Sequence, residues 1–479
     1  MKISTNKKLK EIKVLFVITN INGTYNDVYS FGLASLASIT RDSGFEYEYF
    51  IINSLNDYET FFDFVESFKP RVIAYTAVSS QFAFIQEMSE KIKEKYQEDI
   101  IQVCGGVHVT IFPKSILGSK GLDGIFIGES EYAFSDFLNR VASGRSFSDV
   151  QNFAYDDQDT LQKNPLYPLV TDLDKLPYPE RDKYKYERFI QREGYAVFMF
   201  SRGCPFSCSY CSNHALAKTY NMKVNMPRYR SPQSSIDEIK EMIDKYSIKK
   251  VFIGDDTFGI DKKWAKEFCS KYAEQIKLPF ICQLRVNLVN EELMDMLKRA
   301  GCVHVSCGVE SGSPYIRNKI MKRNISDEQI IKAYALFKKY KMTSNAINII
   351  GLPQETEKDI WATIKINRKI NPTSSGVNIF YPYHGTELGD YCFEQGMVDE
   401  DAYSNFSKER RASVLKFPKE YQDKIIKIYK NWGYLVYGRN IPRLVYLYIK
   451  NNLVDKMPVL ARVKRRVKET ISGIRRANN

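Results

Sequence analysis

Short apolar runs alternate with helix-length amphipathic stretches along most of this chain. The runs KVLFVITN at 13–20, RVIAYT at 71–76, IIQVC at 100–104 and GIFI at 124–127 have the length and β-branched content of buried strands, and their spacing predicts a parallel α/β sheet. In such sheets ligands bind at the carboxyl ends of the strands. Here those ends carry Thr76 to Ser80, Gly105-Gly106-Val107-His108 and Gly128-Glu129.

From about 145 to 194 the periodicity gives way to a polar stretch containing Leu176-Pro177-Tyr178-Pro179-Glu180-Arg181, which reads as a linker packed across a neighbouring surface. A second series follows, with strands expected at 195–201, 250–254, 280–286, 303–309, 345–350 and 376–381. Helical patterns lie between them, among them Ser235 to Tyr246, Asn290 to Arg299 and Asp327 to Tyr340. Six strand-helix units predict an open or partial β/α barrel. The end of the chain is helical in pattern without strand signals. The expected organisation is therefore a Rossmann-like front domain over 10–145, a linker over 146–194, a partial (β/α)6 TIM-type barrel over 195–400 and a helical basic C-terminal region over 401–479.

Charge sharpens the last unit. The net charge is +13, and from Lys424 to Asn479 fourteen Lys or Arg face two acids, Asp455 and Glu469, so nearly all of the excess sits there. Leu460, Val463, Val467, Ile471 and Ile474 recur at three- and four-residue spacing with Arg462, Lys464, Arg465, Arg466 and Lys468 between them, the pattern of a basic amphipathic helix. It reads either as a solvated helical cap or as a face for an anionic membrane, with a lipid-like substrate nearby. No apolar run reaches the roughly 18 residues of a spanning helix and the Lys-rich start is no signal peptide, so a cytoplasmic chain is expected. Nine scattered cysteines argue for reduced thiols rather than a disulfide framework.

Three of those thiols carry chemistry. Cys204, Cys208 and Cys211 fall within eight residues, directly after the first strand of the second series. Three close thiolates bind soft metal. A zinc knuckle closed by His214 is one reading, although no second Cys or His pair completes a zinc spacing. An iron–sulfur cubane with three protein ligands is the other, and it leaves one iron open to chelate a substrate.

The order Cys-x3-Cys-x2-Cys, with Tyr210 before the third Cys, resembles the radical S-adenosylmethionine superfamily over residues 195 to 385. The resemblance implies a 4Fe-4S cluster on Cys204, Cys208 and Cys211, with S-adenosylmethionine on the open iron and Tyr210 beside the adenine. Strand-end motifs similar to that family's follow in order. Gly254-Asp255-Asp256 stands where many relatives have Gly-Gly-Glu, and Arg285-Val286-Asn287 follows it. Next come Gly308-Val309-Glu310-Ser311-Gly312-Ser313 and Ile350-Gly351-Leu352-Pro353-Gln354-Glu355-Thr356, with Gln354 where relatives usually have Gly. The implied S-adenosylmethionine contacts are Tyr210, Gly254, Asp256, Arg285, Asn287, Glu310, Ser311 and Gly351, and no catalytic residue is assigned. Taken singly, Arg285 or Glu310 reads as a structural ion pair. Cys282, Cys302, Cys307 and Cys392 read as core thiols.

The front half resembles the cobalamin-binding domain of one radical S-adenosylmethionine subfamily, with Thr76, Ser79, Ser80, Gly105, Gly106, His108, Gly128 and Glu129 as the implied cobalamin contacts. The Asp-x-His-x-x-Gly motif that supplies a lower-axial His elsewhere is absent, and His108 is the only His in this half. A flavodoxin-like domain that binds nothing is the bland alternative. Both cofactors together imply methylation of an unactivated carbon of a small-molecule or lipid-like substrate, with a flavodoxin or ferredoxin as reductant. Cyclisation, rearrangement or carbon-carbon coupling are alternatives. A non-catalytic cobalamin sensor fits poorly with an intact cluster loop. An RNA-directed methylthiotransferase requires a second Cys triplet in front, where this chain offers only Cys104, so no nucleic-acid partner is expected.

Overall fold

The computed structural model describes residues 12–21, 29–223, 226–404 and 409–438. The amphipathic helix expected over 460–474, and most of the basic tail with it, lies outside the described residues.

The first sheet comprises β1 (Lys13–Thr19), β2 (Glu46–Ile52), β3 (Val72–Thr76), β4 (Ile101–Gly105), β5 (Gly124–Phe126), β6 (Phe153–Asp157) and β7 (Thr160–Lys163), in the spatial order β2-β1-β3-β4-β5-β6-β7. Pairing is parallel from β2 to β5 and antiparallel from β5 onward. Strand order therefore reverses between β1 and β3, which opens a crevice at their carboxyl ends. The central strands carry continuous buried runs because helices cover both faces: Val14, Phe16 and Val103 face one core, Leu15, Val17 and Ile73 the other.

Two features depart from the pattern expected of the sequence. β2 was not among the expected strands: its EYEYFII pattern is half-exposed along its length, as suits the sheet's edge. The hairpin β6–β7 extends the sheet to Lys163, into the stretch read as linker. Phe153 and Ala154 at its start are buried, but the rest of the hairpin is mostly polar and partly exposed, which leaves too short an apolar run to show the strand period.

The second sheet is all parallel: β8 (Ala196–Phe198), β11 (Val251–Ile253), β12 (Phe280–Leu284), β13 (Cys302–Glu310), β14 (Thr343–Ile350) and β15 (Ser374–Ile379), with a short antiparallel pair, β9 (Ser201–Arg202) and β10 (Arg228–Tyr229), beside it. Its order, β15-β14-β13-β12-β11-β8, follows the chain and does not close, so it forms a partial barrel. Helices start where the sequence caps them. Asn290 accepts from Leu293 N–H at the head of Glu291–Arg299, and Ser326 with Gln329 forms a capping box ahead of Asp327–Lys339. The helix Lys419–Tyr437 lays Ile425, Ile428, Trp432 and Val436 against Ile350, Ile364 and Ile379, and Trp432 Nε1 donates to Ser375 Oγ at 2.9 Å, so this helix covers the β15 side.

Leu176 to Arg181 stitches the halves together. Glu180 N–H donates to the Ala34 carbonyl at 3.0 Å, Ser38 Oγ to the Tyr178 carbonyl at 2.6 Å, and Tyr178 OH to the Ser234 carbonyl at 3.0 Å. Arg181 pairs with Glu238 at 2.7 Å, both side chains 1% exposed. The strand-end edge of the front sheet is thereby held against the mouth of the partial barrel.

Candidate active site

The cysteine loop begins at Gly203 (φ 103°), a backbone conformation that suits Gly, and ends where Cys211 caps the helix Ser212–Thr219. Ser209 anchors it from below, donating through Oγ to the Ile320 carbonyl at 2.6 Å and accepting from Leu388 N–H at 2.8 Å. Cys208 is buried, while Cys204 and Cys211 are half-buried. Arg285 Nη1 donates to Cys208 Sγ at 3.3 Å, and the guanidinium lies 3.9 Å from the centre of the Phe206 ring. Burial, with Asp256 and the other two thiols nearby, pushes the Cys211 thiol up to about 12. Thiolates there call for cationic partners such as iron.

Among the described residues no three or more His, Cys, Asp or Glu side chains converge closely enough for a single metal ion. His214 Nδ1 is buried without a partner, and its Nε2 lies 3.9 Å from Glu387 rather than joining the thiols. Three thiols on one loop with the Arg285 guanidinium beside them suit a soft, anionic metal cluster such as a cubane.

Beside the loop stands a buried network. Arg323 Nη1 donates to Tyr210 OH at 2.7 Å and to Glu310 Oε1 at 3.2 Å, while Nη2 reaches the Gly308 carbonyl at 2.9 Å. Glu310 adopts φ 62°, a left-handed conformation rare for a residue with a Cβ. Burial raises its carboxyl and Arg323 pulls in the opposite direction. Arg317 supports Arg323: fully buried, it donates to the Ile325 and Ser311 carbonyls at 2.7 and 2.8 Å, pairs with Asp327 at 2.6 Å, and its carbonyl accepts Arg323 N–H at 3.0 Å. The Nε atoms of Arg285 and Arg323 are buried without partners. A site with two unspent cationic donors beside three thiols suits an anionic cluster and a carboxylate ligand.

Across the mouth, the front sheet presents a cavity of about 440 Å3 lined by Thr76, Gly105, Gly106, Gly128, Glu129 and Glu131 on its own side and by Met199, Arg202, Leu216 and Arg230 of the second half. Gly105 has open space where a side chain would stand, whereas at Gly106 (φ 101°) a Cβ would lie 2.7 Å from the Ala77 backbone. His108 sits at the head of the turn that follows. Its Nδ1 meets Ser79 Oγ at 3.0 Å, its ring packs 4.6 Å from Phe82, and its Nε2 is buried without a partner. Burial, reinforced by His384, holds the imidazole down at about 4. A largely apolar cavity with a few aimed polar groups at the carboxyl ends of β3, β4 and β5 is the shape a large organic cofactor needs.

Comparison with known families agrees with this division of the molecule. The radical SAM superfamily matches residues 198–366, and the B12 binding domain matches residues 19–138. The chain carries a radical SAM domain with a B12-binding domain in front of it. The cofactor set follows from the two domains: a 4Fe-4S cluster and S-adenosylmethionine at the barrel, and cobalamin at the front sheet. An uncharacterized methyltransferase of Pyrococcus horikoshii is 29% identical over 403 residues, 81% of this chain and 85% of that one. The anaerobic magnesium-protoporphyrin IX monomethyl ester cyclase of Rubrivivax gelatinosus is 27% identical over 335 residues, 68% of this chain and 59% of that one. In fold the chain is similar to the radical S-adenosylmethionine methyltransferase TsrM from Kitasatospora setae, solved with cobalamin and a 4Fe-4S cluster, with a TM-score of 0.65 at 16% identity over 80% of this chain and 75% of that one.

Within the radical SAM domain, the residues expected to contact S-adenosylmethionine separate into groups. Tyr210, Arg285 and Glu310 converge on the cysteine loop. Asp256 is exposed beside Cys204 and Cys211 and takes a hydrogen bond from Asn213, while its neighbour Asp255 turns inward and accepts from Phe200 and Ser201 N–H at 2.7 and 3.2 Å. Gly254 N–H is tied to the Phe198 carbonyl, and Gly351 N–H to the buried carboxyl of Glu355.

Two of the expected residues lie apart from this group. Asn287 lies in the turn Val286–Leu288 after β12, exposed, and lines a groove between the helices Lys262–Gln275 and Glu291–Arg299 on the outside of the barrel. Ser311 is fully buried against Thr363, with Oγ atoms 3.4 Å apart, because the chain turns away from the mouth after the bulge in β13.

In the B12-binding domain, Thr76, Gly105, Gly106 and Gly128 line the cavity, while Ser79 and Ser80 are buried at the head of their helix. Glu129 also lines the cavity, but its carboxylate is occupied by Arg202 at 3.1 Å and by both Nη atoms of Arg228. Sequence reasoning missed Arg323, which reads as one more surface charge in Met321-Lys322-Arg323-Asn324. It also missed Arg202, whose place before Gly203-Cys204 was the available signal.

Proposed function

We propose that this chain is a cobalamin-dependent radical S-adenosylmethionine methyltransferase that methylates an unactivated carbon of a small molecule. The observation that carries the reading is the convergence of the Cys204–Cys211 loop and the strand-end cavity of the front sheet on one mouth, with Arg202 and Leu216, from the segments flanking the cysteines, lining the cavity itself. When bound, the cluster supplies the electron that cleaves S-adenosylmethionine and cobalamin supplies a transferable methyl group.

The chain's own residues do the rest. Cys204, Cys208 and Cys211 would hold three irons and leave the fourth free for the methionine end of S-adenosylmethionine. Asp256, exposed beside Cys204 and Cys211, would take the ammonium, and the Arg323–Glu310 pair would meet carboxylate and ribose. Tyr210, its hydroxyl held by Arg323, would wall the adenine. Thr76, Gly105, Gly106, His108 and Gly128 would seat cobalamin, whose amide-rich rim suits backbone donors at glycine turns. A lipid-like substrate and membrane contact remain readings of the basic tail. Likeness to the cyclase supports a second reading, ring formation without methyl transfer.

The test is anaerobic purification with cobalamin, metal and sulfide analysis, and electron paramagnetic resonance with and without S-adenosylmethionine. About four irons and one cobalt per chain, with a reduced-cluster signal that shifts on adding S-adenosylmethionine, are expected. Deuterium passing from methyl-labelled S-adenosylmethionine into product supports methylation. 5′-Deoxyadenosine formed with an unmethylated product supports the cyclase reading, and zinc without iron overturns both.

A further inference from the structure

The two flanks of the cysteine loop are held by a single loop of the front sheet. Arg202, two residues before Cys204, pairs with Glu131 at 2.6 Å and Glu129 at 3.1 Å. Arg228, paired with Arg202 across β9–β10, also binds Glu129 and donates to the Val170 carbonyl at 2.7 Å. Tyr220 follows the helix that Cys211 caps, and its hydroxyl accepts Glu129 N–H at 2.8 Å. Gly128 (φ 78°) makes room for that hydroxyl, since a Cβ there would stand 2.1 Å from it. Ser35 Oγ completes the set, donating to Glu131 at 2.8 Å.

Resting on the two-cofactor reading, we propose that Arg202 is a positioning residue through which the front loop Gly128–Glu131 sets the cluster loop, so that cobalamin seated in the front cavity tunes the cluster. Domain adhesion alone does not need this placement. Glu129, Glu131 and Arg202 themselves line the cavity, so an occupant touches the network directly. Two carboxylates face two guanidiniums there in balance. An occupant that displaces water lowers the local dielectric and strengthens every one of these pairs. The backbone of Arg202 runs through Gly203 into the first cluster thiol, and a change in the pairing is passed to Cys204 with one glycine between.

The test is a redox titration of the full-length, cluster-loaded chain followed by electron paramagnetic resonance, without S-adenosylmethionine, in the presence and absence of hydroxocobalamin. In the wild type, cobalamin is expected to shift the midpoint potential and the line shape of the reduced cluster. In Arg202→Gln, which carries no charge to pair with the two carboxylates, and in Glu131→Gln, the shift measured at saturating hydroxocobalamin is expected to vanish while iron content persists. Tyr220→Phe removes one hydroxyl, is expected to reduce the shift, and carries the test if a charge variant does not fold. Bound cobalamin without a shift in the wild type, or an equal shift in all variants, overturns the inference. A chain that binds no cobalamin at all overturns the two-cofactor reading beneath it, and the inference with it.

Discussion

The guanidinium of Arg285 lies 3.9 Å from the ring centre of Phe206, inside the cysteine loop, and the same guanidinium donates to Cys208 Sγ. A cation stacked on an aromatic and bonded to a ligand sulfur both rigidifies the loop and offsets the charge of a cluster. Arg285→Leu is therefore expected to retain iron but to show a more negative midpoint potential, because hydrogen bonds to cluster sulfur raise it. Loss of a charge-assisted bond of about 1.5–3 kcal/mol corresponds to a fall in S-adenosylmethionine cleavage of roughly 10- to 100-fold. Arg285→Lys keeps the charge without the planar stack and should fall between the two. An unchanged potential in Arg285→Leu counts against the assignment.

Arg323 and Asn287 make opposite predictions from opposite positions. Arg323→Met leaves Glu310 buried without its cation and Tyr210 without its donor, and is expected to weaken S-adenosylmethionine binding at least about tenfold and to destabilise the fold by about 3–5 kcal/mol. Asn287→Ala, on the outer groove, should leave that affinity within error of the wild type. Calorimetric titration of the two variants decides the matter, and a loss at Asn287 would contradict its outward placement.

Gly128→Ala places a methyl group against the Tyr220 hydroxyl and asks a side chain to adopt φ 78°. Denaturant unfolding is expected to show a loss of about 1–3 kcal/mol, together with weaker cobalamin binding. Combining it with Tyr220→Phe removes the nearest atom and should restore part of the loss, leaving the backbone strain. Full additivity of the two changes would place Tyr220 elsewhere.

Glu355 gives the chain a pH signature. Burial pushes its carboxyl up to about 8 from an ordinary 4.5, against the opposing hydrogen bonds from Gly351 and Leu352 N–H, and its Oε1 has no partner. The folded state thus binds the proton more tightly than the unfolded one. Its contribution to stability is fully present below 4.5 and is lost as pH rises through about 8. Relative to Glu355→Gln, which cannot ionise, the wild type should lose about 1.4 kcal/mol per pH unit across that window. Urea unfolding from pH 4 to 9 measures it, and a constant difference between the two proteins would show that the carboxyl titrates normally.

The sequence revealed the elements whose apolar runs are continuous. β1, β3 and β4 are buried on both faces, so their residues carry the signal unaided, as do the cysteine spacing and the capped helices beginning at Glu291 and Asp327. β2 escaped because Glu46 and Glu48 interrupt its apolar residues at an edge, and β6–β7 because its buried apolar run stops after Phe153 and Ala154 and the rest of the hairpin is mostly polar. Within the site, spacing identified loops but not side-chain directions. Arg285 points in and Asn287 points out across a single 3-10 turn, and Ser311 turns away one residue after Glu310. Arg323 was invisible for a different reason: its partners Tyr210 and Glu310 lie 113 and 13 positions away, and only the fold brings the three together.

The bridging run from Leu176 to Arg181 bears on how turnover can proceed. A segment bonded to a front helix on one side and to a barrel helix on the other, with an ion pair sealed from solvent at its end, would have to give up those bonds to act as a hinge. Swinging the two halves apart therefore carries the cost of a broken buried ion pair, about 3–5 kcal/mol, which rearranging the loops at the rim does not.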